Sequence, residues 1–258
     1  MSLEKTTFSI KNIDISIPNR TLIKDFSLTV ESNNFLVILG KNGAGKSLSL
    51  HTFAGLRSAE SGEILLNNNN INNLKRRDIA KTLALLPQDS EDIFPATVFD
   101  SVLIGRHPHI SPFNKETMED IKISLDALDK VGLLDLKNSN INILSGGERR
   151  RLSIAQVIAQ NAKIYLLDEP TNHLDPLHQL AILNLFKQMA DNNYIVIATM
   201  HDVNLAAKYA SHCLLLYGDG GWDFGKKEKI LNEENLTRLY NIPMQKIEVG
   251  NKIFFTNG

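Results

Sequence analysis

Eight residues constrain this chain more than any others. Gly40-Lys41-Asn42-Gly43-Ala44-Gly45-Lys46-Ser47 has the spacing G-x4-G-K-S. Glycines at those positions let the backbone turn so that several N–H groups point at one anion. The lysine then reaches the outer phosphates of a nucleotide, and the serine hydroxyl can hold Mg²⁺. The flanks suit such a loop. Phe35-Leu36-Val37-Ile38-Leu39 is a short apolar run that reads as a buried strand, and Leu48 to Ala54 carries apolar residues at helical spacing. Phosphate would sit at that helix's N-terminus, where unpaired N–H groups and the helix dipole favour negative charge.

Other apolar runs end in residues that suit the same site. Ile164-Tyr165-Leu166-Leu167 is closed by Asp168-Glu169. A carboxylate at the C-terminal end of a parallel strand faces the crevice where ligands bind in open α/β sheets. Asp168 is thus placed to hold Mg²⁺ through water, and Glu169 to orient or deprotonate an attacking water. A solvent-capped strand end is the plainer alternative. Tyr194 to Thr199 is a third strand, followed by His201, which can reach a γ-phosphate, although a single histidine is more often structural. Gln88 follows Leu85-Leu86-Pro87; its amide can ligate Mg²⁺, position water or simply cap a loop.

Further along, residues near 6–40 and 62–66 run or alternate apolar in short pieces, with turns at Pro18-Asn19 and Ser61-Gly62, which predicts a mainly antiparallel β region. Asn67 to Asn73 reads as a surface turn, since Asn tolerates left-handed backbone and disfavours element interiors. The interval of about 90–160 is too long for one crossover helix. Met118 to Leu136 has apolar residues at Ile121, Leu125, Leu128, Val131 and Leu134, so a helical insertion is predicted, its last helix running from Glu148 to Asn161. Ser145-Gly146-Gly147 just ahead of that helix is again an anion-binding arrangement.

Charge is balanced at 28 basic and 29 acidic residues, so nothing marks a nucleic-acid partner. Arg149-Arg150-Arg151 and Lys75-Arg76-Arg77 read as solvated helix faces, with a hold on the helix after Ser145–Gly147 as the alternative for the first. The lone cysteine, Cys213, lies in an apolar run and reads as core. His107 and His109 lack the further ligands that a metal site requires. The N-terminus has no apolar leader, and no apolar run approaches the roughly 20 residues that span a bilayer. The expectation is a cytoplasmic chain whose membrane partner, where one exists, supplies the spanning part.

Taken in order, Gly40–Ser47, Gln88, Leu144–Glu148, Ile164–Asp168, Glu169, Asn172-His173-Leu174-Asp175 and His201 resemble the nucleotide-binding subunit of ABC transporters. The resemblance covers nearly the whole chain. It implies an α/β fold: a P-loop NTPase core with a mainly parallel sheet, an antiparallel β subdomain and an inserted α-helical subdomain. The single ATP-binding domain spans 1–258, with β subdomain and core at about 1–88 and 162–258 and the helical part at about 89–161. It implies ATP and Mg²⁺ as ligands. Gly40, Asn42, Gly43, Ala44, Gly45, Lys46, Ser47, Leu48 and Ile17 would contact nucleotide, and Ser47, Gln88 and Asp168 the metal. Glu169, His201, Gln88 and Lys46 would carry catalysis. Ser145, Gly146 and Gly147 would touch ATP bound to a second copy, and Asp175, which resembles the D-loop aspartate, would also belong to the nucleotide site.

Within the family, Gly105-Arg106-His107-Pro108-His109, Asp202-Val203-Asn204-Leu205-Ala206 and the tail Glu233 to Ile242 resemble importer ATPases for iron–siderophore, haem and cobalamin. That implies integral membrane permease subunits as partners, an extracytoplasmic binding protein acting through them, and a place on the cytoplasmic face of the membrane. The stretch Asp89 to Asn114, with Ile93 and Phe94, would form part of the groove that receives a permease helix. An exporter ATPase, a non-transport ABC ATPase or a regulatory subunit without turnover are the rival readings. Four positions depart from the family pattern: Ile17 where an aromatic ring commonly stacks on adenine, Leu48 for a threonine, Lys41 for a proline and Glu148 for a glutamine.

Overall fold

The computed structural model describes residues 5–88, 96–111, 113–250 and 252–258. Two long strands, β1 (Thr7–Ile17) and β2 (Arg20–Glu31), pair antiparallel through a turn in which Asn19 is left-handed at φ 63°. The chain then enters β3 (Asn34–Gly40), passes through the glycine loop and continues as α1 (Lys46–Phe53). It returns through β4 (Ser61–Leu66) and the short β5 (Asn69–Asn70), giving a four-stranded layer in the order β2-β1-β4-β5. The helix α2 (Arg76–Thr82) leads directly into β6 (Leu83–Leu86).

Helices α3 (Val98–Leu103), α4 (Met118–Lys130) and α5 (Gly146–Ala159) fill the interval before β7 (Ile164–Leu167). From there α6 (Pro176–Asp191), β8 (Ile195–Thr199), α7 (Val203–Tyr209), β9 (His212–Leu216) and β10 (Trp222–Lys226) alternate. The chain closes with α8 (Lys227–Ile230), α9 (Glu233–Tyr240) and a hairpin of β11 (Met244–Val249) and β12 (Lys252–Asn257). The second sheet has the order β10-β9-β3-β8-β7-β6; only β10 in it runs antiparallel.

The period-2 geometry of a strand explains why β3 is apolar from Phe35 to Leu39. Phe35, Val37 and Leu39 point into the core shared with α5 and α6, while Leu36 and Ile38 point into the core shared with α1 and the antiparallel layer. Both faces are covered, so no position between Phe35 and Leu39 is left for a polar residue.

Several boundaries differ from the sequence reading. The stretch 6–40 was expected to be mainly antiparallel, and its last part, the buried run Phe35–Leu39 in β3, joins the parallel sheet between β8 and β9. The Asn-rich patch contains a two-residue strand against Leu65 and Leu66, entered through left-handed Asn67 and Asn68. The helix from Met118 stops at Lys130, because Gly132 turns left-handed at φ 67°, and Leu134–Leu136 is a 3₁₀ turn. The last inserted helix starts at Gly146 rather than Glu148. Ser145 caps it: Glu148 N donates to Ser145 Oγ at 3.3 Å and Ser145 N to Glu148 Oε2 at 2.8 Å. The final hairpin was not anticipated.

The histidine segment is structural in its contacts. His109 Nε2 lies 2.8 Å from the Gln160 carbonyl. Arg106 is buried and pairs with buried Asp120 at 2.9 Å, and it also donates to the Ala159 carbonyl at 2.8 Å. Gly105 allows this fit, since a Cβ there would stand 2.3 Å from the Gln156 carbonyl oxygen. The three arginines 149–151 are not a solvated face either. Arg150 is 5% exposed, and all three donate to backbone carbonyls. Arg77 likewise donates to Pro108 O. Cys213 is buried, and burial pushes its thiol up to about 12. Ile93 and Phe94 lie outside the described residues. No helix among the described residues is long and apolar enough to cross a membrane.

Candidate functional site

The functional side chains come from the C-terminal ends of four neighbouring parallel strands. Gly40 to Ser47 follows β3, His201 follows β8, Asp168 and Glu169 follow β7, and Gln88 follows β6. The sheet order therefore sets these segments side by side although they are scattered through the chain. A cleft of about 440 Å³ opens there, lined by Ile17, Leu22, Asn42, Gly43, Gly45, Lys46, Ser47, Leu48, Gln88, Glu169 and His201. A larger cleft, of about 650 Å³, lies beside the last hairpin against Leu205 and Phe254, and shares no residue with this one.

The glycine loop has the conformation its composition permits. Gly43 and Gly45 have φ 75° and 99°, values that a side chain would strain. Lys46 is buried, and its Nζ donates to the carbonyls of Gly40 at 2.9 Å and Lys41 at 3.3 Å. Burial lowers the Lys46 ammonium below the ordinary lysine value, while the carboxylates of Glu169 and Asp168 pull it back up. Ser49 Oγ donates to the Gly45 carbonyl at 2.7 Å and locks the loop to the first turn of α1.

Asp168 and Glu169 occupy different surroundings. Asp168 is 1% exposed. Its Oδ1 accepts from Thr199 Oγ1 at 2.6 Å, and its Oδ2 has no hydrogen-bond partner among the described residues. Glu169 has a left-handed backbone at φ 47°, a conformation that costs a non-glycine residue about 1–3 kcal/mol and persists only where neighbours over-determine it. The neighbours here are specific. Glu169 N donates to Thr199 Oγ1 at 2.8 Å, and the Glu169 carbonyl accepts from Arg150 at 2.8 Å.

The Glu169 carboxylate is the hub of a polar cluster. Its Oε2 accepts from Asn172 Nδ2 at 2.7 Å and from Gln88 Nε2 at 3.4 Å, and its Oε1 pairs with His201 Nε2. Gln88, Glu169 and His201, read separately in the sequence, are thus joined at one carboxylate. Asn172, Thr199 and Arg150 were not singled out. The signal for the first two was positional: Asn172 is three residues past Glu169, and Thr199 ends the strand beside β7. Arg150 was read only within the Arg149–Arg151 cluster, as a hold on its own helix, and nothing in the sequence tied it to Gln88 or Glu169.

Ser145, Gly146, Gly147 and Asp175 do not line this cleft. Ser145 and Gly146 are exposed, and a Cβ on Gly146 would meet no atom within 4 Å. Gly147 sits over the segment that follows Glu169, 3.3 Å from the His173 carbonyl when given a Cβ. Asp175 caps α6: His178 N donates to Asp175 Oδ1 at 3.0 Å, and His178 Nδ1 lies 2.7 Å from Oδ2. Ile17 is 38% exposed at the cleft wall.

Comparison with known proteins bears on the family. The family profile described as "ABC transporter" matches residues 23–172. The iron(3+)-hydroxamate import ATP-binding protein FhuC of Bacillus subtilis is 34% identical over 92% of this chain and 88% of its own length. The ferric enterobactin transport ATP-binding protein FepC of Escherichia coli is 32% identical over 86% of this chain and 82% of its own. Among solved structures, a chain of an inward-facing transporter assigned to the metal-chelate type of ABC transporter superimposes with a TM-score of 0.84. It is 30% identical, and the match covers 98% of this chain and 97% of that one.

Proposed function

The chain belongs to the ABC transporter ATPase family, and on that premise we propose that it powers import of an iron chelate or cobalamin. In this reading two copies close on two ATP molecules and move permease subunits at the cytoplasmic face of the membrane, with an extracytoplasmic binding protein delivering cargo. The observation that carries the site assignment is the cluster of Gln88, Asn172 and His201 on the Glu169 carboxylate at the mouth of the glycine-loop cleft. The import assignment leans on the likeness to FhuC and FepC and on the metal-chelate type structure.

Lys46 and the N–H groups of Gly43 to Ser47 hold the phosphates, at the N-terminus of α1, where negative charge is favoured. Glu169 takes the proton of the attacking water. Asn172 and Gln88 donate to that carboxylate and fix its rotamer, and His201 is held between it and the open side of the cleft. Ile17 and Leu22 give the base an apolar wall in place of an aromatic one. Asp168 Oδ2, buried beside Lys46 without a protein donor among the described residues, suits a hard cation. Ser47, Asp168 and Gln88 would hold Mg²⁺, which when bound neutralises charge on the transferring phosphate. The open surface at Ser145 and Gly146, the cap and first residue of α5, supports the view that this turn serves the other copy's ATP.

The test is ATP hydrolysis by the purified chain across a range of protein concentration, with Glu169→Gln as control. A rate per chain that climbs with concentration supports a composite two-copy site. E169Q should keep ATP binding while turnover falls at least about tenfold, or over 1.36 kcal/mol in the barrier. Near-wild-type turnover in E169Q would refute the assignment of Glu169.

A further inference from the structure

Arg150 stands in an unfavourable place for a cation. It lies in the second turn of α5, near the helix's positive end, and is 5% exposed. Its guanidinium reaches out of the helix to two other segments. One nitrogen, Nη1, donates to the carbonyls of Pro87 at 2.8 Å and Gln88 at 3.0 Å. The other, Nη2, donates to the carbonyls of Asp168 at 2.5 Å and Glu169 at 2.8 Å. The planar fork thus spans the ends of β6 and β7, the two strand ends that present the amide and the carboxylate of the Gln88–Glu169 pair.

We propose that Arg150 is a positioning residue that ties helix α5 to the backbone of both Gln88 and Glu169, so that the Glu169 carboxylate is aimed only while α5 is seated. This rests on the reading of Glu169 as the catalytic carboxylate. Two features favour a mechanical role over simple packing. The fork binds backbone on both sides, so a shift of α5 moves two site segments together. It also grips Glu169 at its left-handed position, where the backbone has least reason to stay by itself. The same helix begins at Ser145–Gly147, the turn assigned to the opposite copy's ATP. Docking of that turn and the aim of the carboxylate are thereby linked through about one and a half helical turns.

The test is Arg150→Met, which keeps the stem and removes the fork, with Arg150→Lys as a partial replacement, in the full-length chain. Two measurements are made: hydrogen–deuterium exchange in peptides covering 86–88 and 168–173, and the separation of kcat from KM for ATP. The expected result is faster exchange in both peptides, kcat lowered at least about tenfold and KM within about twofold, with Lys in between. Added guanidinium should return part of the turnover to Arg150→Ala. Unchanged exchange in those peptides, or a kcat within about twofold of wild type, would overturn the proposal. A fall in melting temperature alone would do the same. Where Met prevents folding, the Lys variant carries both measurements. E169Q run in parallel separates the two ideas: retained turnover there removes the role of Glu169, while the exchange data still decide whether Arg150 holds the two segments.

Discussion

Thr199→Val isolates one hydroxyl on which two site residues depend. Thr199 is fully buried; its Oγ1 accepts from Glu169 N at 2.8 Å and donates to Asp168 Oδ1 at 2.6 Å. Valine has nearly the same shape, so no cavity forms and both losses are electrostatic. Stranding the buried Glu169 N–H costs about 1–3 kcal/mol, and losing a hydrogen bond to a charged group about 1.5–3 kcal/mol. Asp168 would then have neither oxygen bonded by a described residue, so the upper part of the combined range is the better guide. A loss of about 5 kcal/mol corresponds to a fall of roughly 10–20 °C in melting temperature for a chain of this size. Thr199→Ser should restore most of it. The assay is thermal unfolding of wild type, Val and Ser variants in parallel at neutral pH without nucleotide. A Val variant within about 0.5 kcal/mol of wild type, the level of an ordinary surface substitution, would refute the reasoning.

Two further outcomes can be measured. The Thr117 hydroxyl, followed by the Thr117 N–H and the Arg106 guanidinium, holds the Asp120 carboxyl down at about 2. The folded value lies below the unfolded one, so this contribution is present above about pH 4 and is lost as pH falls toward 2. Asp120→Asn at pH 7 leaves Arg106 buried without its anion and should cost roughly 3–5 kcal/mol in urea unfolding, with a gap to wild type that narrows as pH drops through that window; a constant gap contradicts the assignment. Ile17→Tyr should tighten ATP by roughly 5-fold or more in a fluorescence titration, since a ring stacked on a base is worth about 1–3 kcal/mol; unchanged affinity would mean the base does not lie on that wall.

The parts of the architecture legible in the sequence were those with local causes. The glycine loop, the apolar run of β3 and the acid pair after β7 each carry their reason within a few residues. What escaped was set at a distance. Which strands β3 joins is decided by partners near residues 195 and 212, which no local pattern reveals. Arg150 looked like one of three surface arginines because its carbonyl partners belong to other strands. The Thr199 hydroxyl matters only once β7 and β8 are neighbours, while the Asn172 amide acts locally, on a carboxylate three residues before it. Helix ends were misplaced where a cap overrode periodicity, at Ser145 and at Gly132.

The sheet order also bears on how the protein is made. β3 pairs with β8 and β9 and with no earlier strand. Asn34 faces Ile195, so roughly 160 residues separate the partners, and at about 5–20 residues per second a ribosome needs on the order of 8–32 s to supply the second one. Through that interval one of the most apolar segments of the chain has two unpaired edges, a template for joining any other extended chain nearby. Nascent chains truncated between Leu39 and Ile195 should therefore bind holdase chaperones and form insoluble material far more readily than the finished protein. The phosphate loop itself cannot be braced in its final setting until about three-quarters of the chain has been synthesised.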